Sequence, residues 1–125
     1  MVQFTIEQNP TFEGMVEIPR IGEECLRVPF TFKYRDRKGL ARLYASWTQR
    51  QQALAGHLDD EDLVALTDAH IDFQVEQLQE VISGWGFAEP CDAQGIRQLV
   101  ESSIQIPERI LAAYTQAYAL ARQGN

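Results

Sequence analysis

The stretch LRVPFTFKY, residues 26–34, decides the fold of this chain. Large apolar residues alternate in it with polar residues or proline, which is the period-2 pattern of a β-strand. A small sheet cannot bury five large side chains by itself, so this strand requires a cover of helices. Pro29, on the opposite face, predicts a bulge or an exposed edge because proline lacks an amide donor. The apolar face consists of Leu26, Val28, Phe30, Phe32 and Tyr34.

The residues before this stretch predict two further strands. Val2, Phe4 and Ile6 alternate with polar residues until Asn9-Pro10 breaks the pattern. Residues 14–19 form a weaker strand pattern that Pro19 ends. We therefore expect about three antiparallel strands within residues 1–34.

After residue 38 the apolar period changes from two to between three and four, which is typical of amphipathic helices. The first predicted helix carries Leu40, Leu43, Tyr44 and Trp47 and ends near Gly56. Asp59 and Asp60 offer N-cap oxygens for a second helix, and Glu61 and Asp62 place further negative charge near its positive end. This helix is predicted to run to the glycines at 84 and 86. Its expected apolar stripe contains Val64, Ile71, Val75, Leu78, Ile82 and Trp85.

Two further helices are predicted in the C-terminal third. Asp92 is placed to cap a third helix whose buried side includes Ile96, Leu99, Val100 and Ile104. Pro107 suits the first turn of a fourth helix. The predicted fold class is therefore α+β: a small N-terminal antiparallel β-sheet of about three strands, followed by about four α-helices packed on it. We expect one domain over residues 1–125, with a β-rich part at 1–34 and a helical part at 35–125.

Charge and hydropathy exclude two classes of partner. The formal net charge of -7 disfavours nucleic acid and anionic lipid surfaces. The basic residues between Lys33 and Arg42 are interrupted by Asp36 and are interpreted as a solvated turn. No apolar stretch approaches the roughly 18 residues of a membrane span, and no signal segment is recognisable. We expect no nucleic-acid partner, no membrane partner and a cytoplasmic location.

The sequence offers little catalytic chemistry. Its two histidines, His57 and His70, are too few for a typical metal centre. Asp68 and Asp72 lie one helical turn apart and are interpreted as a solvated acidic face rather than a cation site. Cys25 and Cys91 lack the spacing of a metal or redox motif. The sequence also contains no glycine-rich phosphate loop. We expect no enzyme activity, no catalytic residues, no metal site and no cofactor.

Three aromatic residues are candidates for binding another protein. Tyr114 and Tyr118 lie one turn apart on the fourth helix, and Trp85 stands between two glycines. Aromatic residues at such positions either fill the core or anchor a partner, and both interpretations stay open here. The candidate partner-binding residues are Trp85, Tyr114 and Tyr118.

The C-terminal segment resembles that of tail assembly chaperones of long-tailed bacteriophages. The similarity is carried by IPERILAAY at residues 106–114, with its Ala-Tyr pair, and by the terminal ARQGN at residues 121–125. The GWG element at residues 84–86 and the β-rich start agree more loosely. This resemblance implies an α+β chaperone in the bacterial host cytoplasm, encoded by a phage or prophage, that works without a cofactor.

The implied partners are the tape measure protein, whose long hydrophobic helices the chaperone keeps soluble, and the tail tube protein. The resemblance also leaves room for a homo-oligomer. Two alternatives stay open on the residues alone: another tail structural or joining protein, and a small enzyme or regulator.

Overall fold

A computed structural model of the chain describes residues 4, 6, 10–56 and 62–122. It confirms the predicted α+β class, with a three-stranded antiparallel sheet and four helices in the described residues. The elements follow in the order β1 (Thr11–Arg20), β2 (Glu23–Lys33), α1 (Arg37–Ala55), α2 (Leu63–Val81), β3 (Ile82–Trp85), α3 (Ala93–Ser102) and α4 (Gln105–Arg122).

Strands β1 and β2 form a long hairpin that closes at Gly22. This glycine has a φ of 72°, a left-handed conformation that causes little steric strain only in a residue without a Cβ. The register pairs Val16 with Val28 across the hairpin, and both side chains are buried. The alternation predicted for residues 26–34 is confirmed at Phe30 and Phe32, which are 1% and 0% exposed.

The third strand is not the one that the N-terminal pattern predicts. Phe4 and Ile6 lie outside any strand and are each 95% exposed, while the rest of that predicted strand falls outside the described residues. The third strand is β3, which pairs with β2 through Phe30 and Trp85. Helix α2 therefore ends at Val81, not at Gly84 as predicted, and Ile82 already has extended backbone angles.

Pro29 lies in the central strand of the sheet, so the alternative of an exposed edge is wrong, while the irregularity of β2 lies two residues further on, between Thr31 and Phe32. Its missing amide proton is directed towards β3, where pairing stops next to it at Phe30. The Gly86 amide donates to the Pro29 carbonyl at 2.9 Å just beyond that point. The proline is tolerated because the neighbouring strand is too short to require the missing donor.

Three aspartates begin helices in the same way. Asp36, Asp62 and Asp92 each have extended backbone angles, and each accepts a hydrogen bond from the backbone three residues later. The predicted capping by Asp92 is confirmed. Helix α2 is capped by Asp62, which was expected only to add negative charge near the helix start, and the predicted caps Asp59 and Asp60 lie outside the described residues. The donors are the amides of Gly39, Ala65 and Gly95, at 2.8, 3.1 and 2.8 Å.

The core lies between one face of the sheet and helices α2 and α4. Helix α4 packs directly on β1: a Cβ added at Gly14 would lie 2.9 Å from the Cβ of Ala117. Helix α1 packs mainly against α2, and Arg50 reaches Glu80 of α2 at 2.8 Å. Val64 and Ile104, predicted to be buried, are 72% and 78% exposed. None of the helices in the described residues has both the length and the apolar character that a bilayer crossing requires.

Candidate partner-binding cleft

Trp85 sits at the end of β3, where it is half-buried. Its ring meets Phe30 of the central strand edge-on at 6.1 Å and Phe87 at 5.2 Å. The indole Nε1 donates to the Glu89 carbonyl at 2.8 Å, so the link after β3 folds back over the ring. One side of the indole is therefore fixed by the sheet and by the link, while the other side stays accessible.

That accessible side forms one wall of a cleft of about 150 Å³ between β3 and α3. Phe87 and Leu99, both half-buried, contribute further apolar surface. The polar groups at the rim come from Glu89, Gln98 and Ser102. A small apolar cleft with a polar rim is suited to holding one apolar side chain of another protein.

Two glycines make this arrangement possible by letting neighbouring groups approach closely. A Cβ at Gly95 would lie 2.2 Å from the Pro90 carbonyl oxygen and 3.2 Å from the Trp85 ring. A Cβ at Gly86 would lie 2.8 Å from the ring of Pro29. Any side chain at either position would push α3 or the link away from Trp85.

The structure places Tyr114 and Tyr118 elsewhere, in an aromatic cluster under α4. Tyr114 is 1% exposed and meets Phe32 edge-on at 5.4 Å. Tyr118 is 8% exposed, stacks on Tyr34 at 5.7 Å and donates its hydroxyl proton to the Arg35 carbonyl at 2.6 Å. The three candidate residues are thus not brought together, and a partner-binding role for each stays a prediction. A client would reach the two tyrosines only if the surrounding helices moved apart.

Burial also sets the electrostatics of Tyr114. Loss of solvent raises the pKa of its phenol, and the nearby Tyr44 adds to this shift, while the Arg35 guanidinium opposes it. Among the described residues the Tyr114 hydroxyl has no partner with hydrogen-bond geometry, although the Arg35 guanidinium lies near enough to favour the charged phenolate. The phenol is therefore neutral at physiological pH and acts as an aromatic core group.

Some of the remaining ionisable groups form ion pairs between helices. Asp72 pairs with Arg97 of α3, which joins the second and third helices. Burial, with the negative charge of Asp92, raises the pKa of the Cys91 thiol, which disfavours the reactive thiolate. In residues 10–56 and 62–122, no three His, Cys, Asp or Glu residues converge on a point that a metal ion could occupy.

Sequence reasoning found Trp85 but missed its neighbours in the cleft. Leu99 was predicted on the buried side of α3 and is half-buried, because the period of a helix does not show which of its apolar residues borders a cleft. Phe87, which follows Gly86 in the link after β3, was not among the candidate residues. The spacing of Phe87 from Trp85 could have indicated that both line one cleft, because residues 85 and 87 lie on the same side of an extended chain.

One comparison with known proteins gave a match. A family model described as phage tail assembly chaperone matches residues 1–125, the whole chain. No curated protein and no solved structure gave a significant match.

Proposed function

The chain belongs to the phage tail assembly chaperone family, and from that premise we propose that it binds the tape measure protein during tail assembly. It keeps this long client soluble until tail tube subunits arrive, and it acts in the cytoplasm of the bacterial host. A chaperone works by binding, and family membership indicates a non-enzymatic role. Binding of this kind needs no cofactor.

The Trp85 cleft is the observation that supports this proposal most directly. An amphipathic client helix presents apolar side chains at intervals of three and four residues, and each can enter a separate shallow cleft. Trp85 and Leu99 provide such a cleft for one anchor, and Ile104, 78% exposed just after α3, provides apolar surface for another. The small contact area favours a low binding affinity, which allows the client to be released.

The net charge of -7 supports the same role on the scale of the complex. A client with exposed apolar helices aggregates through contacts between its own copies. An acidic protein bound along it adds like charges to each complex, and these charges oppose association.

The experiment is co-expression with a candidate tape measure protein. We expect the wild-type chain to raise the soluble yield of the client and to co-purify with it. Gln98→Trp fills the cleft from its exposed rim and is expected to weaken co-purification. Gln51→Trp makes the same change on an exposed position of α1 and serves as the matched control.

Two outcomes would contradict the proposal. Equal co-purification by both variants would show that the cleft does not hold the client. Stoichiometric amounts of the chain in finished tails would indicate a structural tail component, because a chaperone leaves before the particle is complete.

A further inference from the structure

Helix α1 is a basic helix that lies against an acidic one. Residues 37–55 contain four arginine or lysine residues and no carboxylate, although the whole chain has a net charge of -7. Arg50 joins the two helices by donating to Glu80 at 2.8 Å and to Glu76. Charge complementarity therefore matches α1 to the surface that it covers. The carboxylates of α2 recur at every fourth position: Asp68, Asp72, Glu76 and Glu80.

The packing of α1 is thin for a helix of 19 residues. Its buried side chains are Leu43 and Trp47, one turn apart, whereas α2 buries five residues. Leu40 and Leu54 are only half-buried against the core. The ion pairs of Arg50 with α2 are partly exposed, so solvent screens them and they add little to stability. The principal attachments of α1 are therefore two apolar side chains and one arginine.

Polar atoms beside α1 are buried without partners. Trp47 Nε1, Arg35 Nη1 and the Tyr114 hydroxyl have no partner with hydrogen-bond geometry among the described residues. Trp47 belongs to α1, and Arg35 lies two residues before it. Burial raises the pKa of the Tyr114 phenol, and Tyr44 of α1 lies near enough to raise it further. Since a buried polar atom without a partner costs free energy, hydration of the Trp47 nitrogen recovers part of the cost of detaching α1.

The surface under α1 has an apolar centre and an acidic rim. Phe73 of α2 is 7% exposed, and the Arg50 guanidinium lies 5.7 Å from the centre of its ring. Glu76 and Glu80 lie about one and two turns further along α2 and face α1 through their contacts with Arg50. An amphipathic helix with an arginine beside its apolar stripe complements this surface.

We propose that α1 is an exchangeable helix, and that a basic amphipathic helix of the client takes its place on α2. The incoming helix has large apolar residues four apart and an arginine three residues after the second, which is the spacing of Leu43, Trp47 and Arg50. Because α1 belongs to the same chain, its effective concentration at this surface is on the order of millimolar, and the client competes with it. The exchange rests on the proposed function only for the source of the incoming helix, and it uses residues other than those of the Trp85 cleft.

The test uses the full-length chain and a labelled peptide of residues 35–56, followed by fluorescence anisotropy. It contains no client, so its result is independent of the co-expression experiment. Leu43→Ala in the chain weakens the attachment of α1 and leaves the surface on α2 unchanged. We therefore expect this variant to bind the peptide at least about tenfold more tightly than the wild type does. Ile96→Ala shortens a buried side chain of α3 and is the matched control, with the affinity of the wild type.

A second variant covers the case in which Leu43→Ala does not fold, which thermal unfolding detects. Arg50→Ala removes only the partly exposed ion pairs and the contact with Phe73, and it should tighten peptide binding about threefold. A peptide with Leu43→Ser and Trp47→Ser keeps the charge of the original and should not bind. This peptide separates specific binding from general attraction to an acidic protein.

Charge reversal tests where the peptide binds. The Leu43→Ala chain should prefer the original peptide to its Arg50→Glu form by about tenfold, because two ion pairs become repulsive. Adding Glu76→Arg and Glu80→Arg to the chain should reverse this preference. The ratio is measured within one chain, so the competition from α1 cancels.

Three results would overturn the proposal. Equal tightening by Leu43→Ala and Ile96→Ala would mean that the peptide binds chains that have lost their core packing. Absence of binding by the folded variants would mean that α1 does not leave its place. A wild-type dimer that the free peptide dissociates would make the α1 of a second copy the occupant in place of a client helix.

Discussion

Two tyrosines one helical turn apart in α4 differ in what their hydroxyl groups do. The Tyr118 hydroxyl donates to the Arg35 carbonyl, which lies just before α1. The Tyr114 hydroxyl is buried and has no partner in the described chain. The two rings contribute similar apolar area, so the difference between these residues lies in their polar atoms.

Substitution by phenylalanine should separate the two roles. Tyr118→Phe removes a donor and leaves a part-buried carbonyl with one bond fewer, so we expect a loss of about 1 kcal/mol in the free energy of unfolding. Tyr114→Phe removes a buried hydroxyl that lacks a partner with hydrogen-bond geometry, so it should cost less stability than Tyr118→Phe. Urea unfolding of both variants measures this. A larger loss for Tyr114→Phe would show that its hydroxyl has a partner after all.

At the level of elements, the boundary between α2 and β3 shows where the sequence was ambiguous. Ile82 and Trp85 continue the apolar stripe of α2 at helical spacing, so periodicity alone extends the helix through them. The structure ends the helix because the edge of β2 offers backbone hydrogen bonds and the faces of Phe30 and Phe32. Such long-range pairing lies outside any local pattern.

Other elements were predictable because their signals are local. The alternation of residues 26–34 and the aspartate cap at 92 each act within a few residues. For the candidate cleft, Trp85 stood out through its flanking glycines, whereas Leu99 could be placed only once the contact between α3 and β3 was known.

Gly95 in α3 and Gly84 in β3 differ in the space available for a side chain. Gly95→Ala would drive a Cβ into the Pro90 carbonyl oxygen and against Trp85, with a cost of about 1–3 kcal/mol from overpacking. The better helix propensity of alanine recovers only about 1 kcal/mol. Gly84→Ala is the control, because its Cβ would have no neighbour nearer than 3.9 Å. Equal stability of the two variants in thermal unfolding would contradict the close approach of α3.

On the scale of the whole molecule, the helices are attached to different degrees. Helix α4 packs along β1, and α2 contacts both the sheet and α3, whereas α1 packs mainly against α2. Its anchors are the buried Leu43 and Trp47 and the ion pairs of Arg50. Detachment of α1 from the rest of the molecule therefore breaks fewer packing contacts than detachment of α2 or α4.

Native-state hydrogen exchange should reveal this order. We expect amides in the middle of α1 to exchange at least about tenfold faster than those of β2 and α4, because a local opening can release α1 alone. Backbone amide exchange followed by NMR gives the rates residue by residue. Equal protection in α1 and β2 would mean that the chain opens only as one cooperative unit.

The contact between Gly14 and Ala117 joins the first strand to the last helix, and this has a consequence for biosynthesis. While the ribosome still holds the residues of α4, β1 and β2 have emerged but the helix that covers them has not. Phe32 and its neighbours stay uncovered until α4 leaves the ribosome, so the nascent hairpin is exposed to aggregation during that interval. Closure of the core is therefore expected only after α4 has emerged.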